Sequence, residues 1–168
     1  HKNIVGVFRQ PEAVFIYTSF IKSIPYRQLQ SGYAEVLKHH LIADKDGWLK
    51  LKDVQQLSDL PYESIVAHSI NIKNDVVMQD PDERGLRKIL NFGHTIGHAI
   101  EGLLISSSKS ITHGDAVAIG MVCESHLALQ KGFISHAEAK EIRDHVLRLF
   151  GHKYKSMPAA DAIIDAMR

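Results

Sequence analysis

The chain has 168 residues, 45% of them hydrophobic and 23% charged, with a formal net charge of +1. That length and apolar content suffice for one buried core, and the near-neutral charge gives no reason to expect nucleic acid or an anionic membrane as a partner. No apolar run approaches the roughly 20 residues that span a bilayer, no leader pattern is read at His1-Lys2-Asn3-Ile4, and one cysteine, Cys123, makes no internal disulfide, which fits a reducing, cytoplasmic location.

Taken in order, Ala13-Val14-Phe15-Ile16-Tyr17-Thr18 is the strand candidate, being short, β-branched and aromatic. Everything after it reads as helix. Pro25 can occupy the first turn of a helix to about Ala43, with Leu29, Tyr33, Val36, Leu37 and Leu41 at spacings of three and four. Asp44 to Gly47 punctuates, and a short helix follows around Trp48, Leu49 and Leu51. Pro61 opens a helix to about Val77, Asp80-Pro81-Asp82 breaks it, and a longer helix covers about Gly85 to Leu104. Ile105 to Thr112 reads as a loop, and His113 to Gln130 as a helix that Gly132 ends. Ser135 and Glu138 form a capping box for a helix to Phe150, with Gly151 as its C′ stop. Ser156 and Pro158 begin a last helix. A lone strand leaves its edges unpaired, so its partners are expected upstream, and the chain reads as part of a longer protein.

Three segments carry chemistry. In Leu90-Asn91-Phe92-Gly93-His94-Thr95-Ile96-Gly97-His98, the two histidines are four apart and project from one helix face. They could share a metal or a substrate, but the spacing alone favours a bare surface pair, because the pattern is common. Thr95 stands where a zinc protease needs its glutamate, so that chemistry is excluded. Gly93 and Gly97 each cost about 1 kcal/mol inside a helix unless a backbone or ligand comes close. His113 begins a helix, where the dipole disfavours its cationic form, and neutral imidazole is the metal-binding one. Glu35 and Lys38 are three apart on an apolar-flanked face; they make either a solvated pair or a partly buried carboxylate in need of a cation. Lys73, Arg87 and Lys88 add cationic groups suited to phosphate or carboxylate.

Together these segments resemble 3-dehydroquinate synthase. The resemblance rests on Lys2-Asn3-x-x-Gly6-x-Phe8, Gly32-x-Ala34-Glu35-Val36-x-Lys38, the run from Arg87 through Asn91-Phe92-Gly93-His94-Thr95-x-Gly97-His98-Ala99-x-Glu101, and His113-Gly114-Asp115-Ala116-Val117-Ala118-x-Gly120-Met121, in that order. It implies a mainly α fold: residues 25–168 as a multi-helical metal- and substrate-binding domain, and residues 1–24 as the remnant of an absent Rossmann-like NAD-binding domain, with one β-strand. The implied reaction converts 3-deoxy-D-arabino-heptulosonate 7-phosphate to 3-dehydroquinate and phosphate in the shikimate pathway, with catalytic NAD and a divalent metal, zinc or cobalt. By the same resemblance Glu35, His94 and His113 ligate the metal. Asn3, Lys38, Lys73, Arg87, Asn91 and His98 meet the sugar-acid phosphate substrate, and Lys2 and Phe20-Ile21-Lys22-Ser23 touch NAD. The full-length family is homodimeric, and without the NAD-binding half and a later lysine-bearing segment this polypeptide is expected to be inactive. Asp115 replaces a customary glutamate, with little effect expected. The rivals are another sugar phosphate cyclase of the 2-deoxy-scyllo-inosose or valiolone synthase type, an iron-type alcohol dehydrogenase, and a non-catalytic helical module whose histidines hold a structural metal.

Overall fold

The computed structural model describes residues 11–107, 109–151 and 157–168. Helices dominate, and no strand occurs among the described residues. The strand expected at Ala13–Thr18 does not form: residues 13–17 carry no regular hydrogen bonding, and Thr18–Ser23 is a 3-10 helix. A strand takes its hydrogen bonds from a neighbour, and none is at hand among the described residues. Val14, Phe15, Tyr17 and Phe20 are left exposed, Phe15 by 95%.

Among the described residues seven α-helices follow: α1 Tyr26–Ala43, α2 Lys45–Leu51, α3 Tyr62–Gln79, α4 His94–Ser106, α5 His113–Gln130, α6 His136–Phe150 and α7 Ala160–Ala166. Short 3-10 turns at Leu57–Asp59 and Leu86–Asn91 join some of them. The ends of α5 and α6 fall where local chemistry puts them. Thr112 and Asp115 cap α5 reciprocally, as Ser135 and Glu138 cap α6. Asp115 therefore serves the box despite its shorter side chain. Gly132, at φ 73°, follows the last turn of α5. Gly151 departs from expectation: it is a right-handed C-cap, φ −60°, and not a left-handed C′ stop.

The long helix expected from Gly85 to Leu104 is broken. Residues 86–91 wind as a 3-10 turn, and α4 begins only at His94. The break is Gly93, whose φ of 78° lies in the left-handed region that only glycine adopts cheaply. The Gly93 N–H donates to Glu124 Oε2 of α5 at 2.9 Å. Gly93 is thus the N-cap of α4, and the two histidines stand at the start of a helix, not in its middle.

Helix α5 lies at the centre, with residues Gly114 to Met121 continuously buried. It packs against α4, α1 and α6. Tyr33, Leu37, Val117, Met121, Val146, Leu149 and Phe150 form the main core, and Ile100, Leu104 and Ile119 a second cluster between α4 and α5. The α4–α5 crossing is close because Gly120 has no side chain: a Cβ there would sit 2.0 Å from the Gly93 carbonyl oxygen. This crossing sets His94 and His98 on α4 against His113 at the start of α5.

Candidate metal centre

Glu35 is in the middle of α1, His94 and His98 occupy the first turns of α4, and His113 is the first residue of α5. The packing of α1 and α4 on α5 brings all four together. Glu35 Oε1 lies 3.4 Å from His94 Nε2 and 3.8 Å from His113 Nε2. One nitrogen each of His94, His98 and His113 lies within 4.8 Å of the others. The rings pack edgewise or tilted, with centroids 5.3 Å apart for His94–His98, 5.3 Å for His94–His113 and 5.6 Å for His98–His113.

The outer partners decide which nitrogens face inward. His94 Nδ1 lies 3.2 Å from the Phe92 carbonyl, and His113 Nδ1 lies 3.1 Å from Glu101 Oε2. Both partners are acceptors, so each Nδ1 carries the proton and each Nε2 offers a lone pair to the centre. Glu35 Oε2 accepts from the buried Lys38 ammonium at 2.7 Å. Glu35 Oε1 is itself buried with no hydrogen-bond partner. A buried carboxylate oxygen facing two imidazole lone pairs is a donor set short of a cation. One carboxylate and two imidazoles suit a divalent zinc-like ion. Burial pushes the Glu35 carboxyl up, but His94, when a proton rather than a cation occupies its Nε2, and the Lys38 ammonium more than offset this and hold it below the usual carboxylate range. Partial burial, then the neighbouring His94 and His113 rings, push His98 down.

The other sequence candidates divide. Lys38 is inside the cluster, only 4% exposed. Lys73 is exposed on α3 and adds its charge to the surroundings of His39, which burial and then Lys38 push down to about 4. Arg87 and Asn91 stand on the 3-10 turn before α4 and are engaged locally: Arg87 Nη1 donates to the Pro81 carbonyl at 2.7 Å and Asn91 Nδ2 to Glu83 Oε1 at 3.0 Å. Among the described residues, these bonds hold Arg87 and Asn91 to Pro81 and Glu83 and not to the four-residue cluster. Phe20, Ile21, Lys22 and Ser23 lie apart from it, in the 3-10 helix before α1. Thr18, Ser19, Ile21 and Lys22 border an open cleft of about 560 Å³ against Tyr62 and Glu63 of α3. Lys2 and Asn3 lie outside the described residues.

Two contributors carry no local signal. Glu101 orients His113 from 12 residues away, and Glu124 fixes Gly93 from 31 residues away. Glu101 falls within the segment that carries the resemblance, but its partner is visible only once α4 and α5 are packed.

Residues 32–168 match the family described as 3-dehydroquinate synthase C-terminal. The 3-dehydroquinate synthase of Bacillus mycoides (strain KBAB4) is 46% identical over 147 residues, covering 83% of this chain and 40% of the relative. That of Bacillus cereus (strain B4264) is 48% identical over 134 residues, covering 77% and 36%. The chain thus spans about 40% of the length of the curated relatives it matches. Among solved structures, 2-deoxy-scyllo-inosose synthase complexed with carbaglucose-6-phosphate, NAD+ and Co2+ superimposes with a TM-score of 0.81 at 27% identity, over 98% of this chain and 46% of that one. The 2-epi-5-epi-valiolone synthase of Streptomyces hygroscopicus subsp. jinggangensis 5008, with NAD+ and Zn2+ bound, gives 0.77 at 25% identity, over 99% and 47%.

Proposed function

Because this chain belongs to the 3-dehydroquinate synthase C-terminal family, we propose that it is the helical metal- and substrate-binding part of a 3-dehydroquinate synthase. The complete enzyme converts 3-deoxy-D-arabino-heptulosonate 7-phosphate to 3-dehydroquinate and phosphate, in the cytoplasm and as a homodimer. The observation that carries the reading is the convergence of Glu35 Oε1 with His94 Nε2 at 3.4 Å and His113 Nε2 at 3.8 Å. In this reading these three hold a zinc or cobalt ion. When bound, the ion supplies Lewis-acid polarisation of substrate hydroxyls and NAD supplies reversible hydride acceptance.

The chain's own residues do the rest. Glu101 and the Phe92 carbonyl keep His113 and His94 in the tautomer that ligates. Lys38 neutralises Glu35 from the far side and presents its remaining N–H groups to a substrate anion. His98, exposed and one turn beyond His94 on the same face, binds a substrate hydroxyl or moves its proton, and does not ligate. Lys73, Arg87, Asn91 and Asn3 meet the phosphate or carboxylate. For Arg87 and Asn91 this requires leaving their present partners, Pro81 and Glu83. Lys2 and residues 20–23 face NAD from the N-terminal side, where the exposed apolar run from Val14 to Phe20 packs on an NAD-binding half; residues 25–168 are the helical domain.

The relatives at 46% and 48% identity are 3-dehydroquinate synthases, whereas the solved cyclases that act on other sugars stand at 25% to 27%. This favours the dehydroquinate reaction over a 2-deoxy-scyllo-inosose or valiolone synthase. The test is zinc content after chelation and reloading. Glu35→Gln, His94→Ala and His113→Ala should each lose the ion from this centre, while His98→Ala keeps it and lowers turnover of the full-length enzyme. Retention of that ion by the His113 variant, with loss in the His98 variant, would reverse the ligand assignment. Turnover of a different sugar phosphate in preference to the heptulosonate would select the rival cyclase.

A further inference from the structure

A second group of potential ligands lies on the other side of α1. His40 and Asp44 end that helix, and His68 faces them from α3. Their donor atoms lie within 4.8 Å of one another. Asp44 Oδ2 is 2.7 Å from His68 Nε2 and 3.8 Å from His40 Nε2, and the two rings are 5.4 Å apart. Around an α-helix, His40 and Asp44 stand about 140° and 180° from Glu35, so this group is separate from the first.

The arrangement is held from outside. His40 Nδ1 lies 2.8 Å from the Val36 carbonyl, which can only accept, so Nδ1 carries the proton and Nε2 a lone pair. That lone pair faces a carboxylate oxygen 3.8 Å away, beyond hydrogen-bond reach. Two ligands of one tetrahedral zinc stand about 3.3 Å apart, so little movement is needed to share an ion. Asp44 is fixed by its other oxygen, which accepts from the Gly47 N–H at 2.9 Å. His40 is 3% exposed and tied to the Val36 carbonyl, whereas the His68 side chain is 51% exposed, with solvent space in which to turn.

Space is kept for the cluster by a residue that a helix otherwise disfavours. Gly47 sits inside the seven-residue α2, where glycine costs about 1 kcal/mol against alanine. A Cβ there would lie 2.0 Å from Asp44 Oδ2 and 2.3 Å from His40 Cδ2. The cluster opens into a cleft of about 470 Å³ that Asp46, Gly47 and Ser64 also line.

We infer that His40, Asp44 and His68 form a second divalent transition-metal site, of the zinc class, which clamps the end of α1 and the cap of α2 onto α3. Two imidazoles and a carboxylate select zinc-like ions over magnesium or calcium, which prefer oxygen ligands. The inference does not depend on the function proposed above, since it shares no ligand with the first centre.

Zinc titration of chelator-stripped protein tests it. The wild-type protein should bind two ions per chain, and His68→Ala one, with the lost site weakened at least about 100-fold, the upper end of what removing even an outer partner costs. His68 is exposed, so this variant keeps the fold. Glu35→Gln combined with His113→Ala should leave one ion, and adding His68→Ala should remove it. Zinc-edge anomalous diffraction should then place that ion about 2.0–2.2 Å from His40 Nε2, Asp44 Oδ2 and a His68 nitrogen. An unchanged stoichiometry in His68→Ala, or an ion elsewhere in the map, overturns the inference. A wild-type protein with one ion, lost in His68→Ala and kept without Glu35 and His113, would support this site and sink the first.

Discussion

The carboxylate of Glu101 lies 3.1 Å from Nδ1 of His113, and the opposite nitrogen of that ring lies 3.8 Å from Glu35 Oε1. Glu101 thereby sets both the tautomer and the aim of His113, and its negative charge raises the basicity of the inward nitrogen. Glu101→Gln keeps a hydrogen-bond acceptor but removes the charge. Zinc affinity at the first centre should fall about 10- to 100-fold with the fold intact, measured by competition against a chromophoric chelator. Unchanged affinity would mean that His113 does not bind the ion.

Lys38 is 4% exposed and donates to Glu35 Oε2 at 2.7 Å. Its ammonium repels any ion held on the other oxygen of the same carboxylate. Lys38→Met should therefore leave zinc binding unchanged or tighter. If Lys38 donates to a substrate anion as proposed above, turnover of the full-length enzyme should still drop by at least about 100-fold. Parallel loss of metal and activity would instead make Lys38 a support for the centre alone.

The crossing of α4 on α5 is the third point of test. In Gly120→Ala the new Cβ would meet the Gly93 oxygen at 2.0 Å, with the Gly97 nitrogen at 3.0 Å. Both neighbours are backbone, so neither can rotate away. The cost should be at the upper end of the usual 1–3 kcal/mol for overpacking, read as a fall in the urea midpoint at constant slope. Zinc affinity at the first centre should fall as well, since His94 moves with α4. A neutral substitution would show that the two helices are free to separate.

What could be read beforehand follows the range of the interaction. The bounds of α5 and the capping box of α6 depend on residues three apart, and both were legible. The break at Gly93 was not, because its left-handed turn is fixed by Glu124 on a helix that follows a loop. The same limit hid the group on the far face of α1: His40 and Asp44 are neighbours in sequence, but His68 reaches them only after α3 folds back. The strand at Ala13–Thr18 failed for the opposite reason. Its composition is right, but composition supplies no pairing partner. Glu35, His94 and His113 share no periodicity, so spacing could suggest each as a candidate but not their meeting point.

His145 makes the last prediction. It is 1% exposed, with Nδ1 at 3.0 Å from the Lys52 carbonyl and Nε2 at 3.0 Å from the Tyr33 hydroxyl. Arg148 Nη2, which only donates, also lies 3.1 Å from Nδ1, so the buried ring is neutral and its single N–H is donated to the Lys52 carbonyl or to the Tyr33 hydroxyl. Burial pushes its pKa down to about 4, from the ordinary histidine range near 6.5. Above pH 6.5 the folded and unfolded chains are both neutral here, and stability does not respond to this group. Between pH 6.5 and 4 only the unfolded chain takes up the proton, so stability is lost as pH falls, by about 1.4 kcal/mol for each pH unit. Below pH 4 the loss levels off. Urea unfolding at pH 7, 6 and 5 should show this slope. His145→Gln should be less stable at pH 7, where it replaces a well-fitted ring, yet lose less between pH 6 and pH 5. Equal slopes in the two proteins would place the acid sensitivity elsewhere, with His39, also held near 4 by burial and Lys38, the next group to replace.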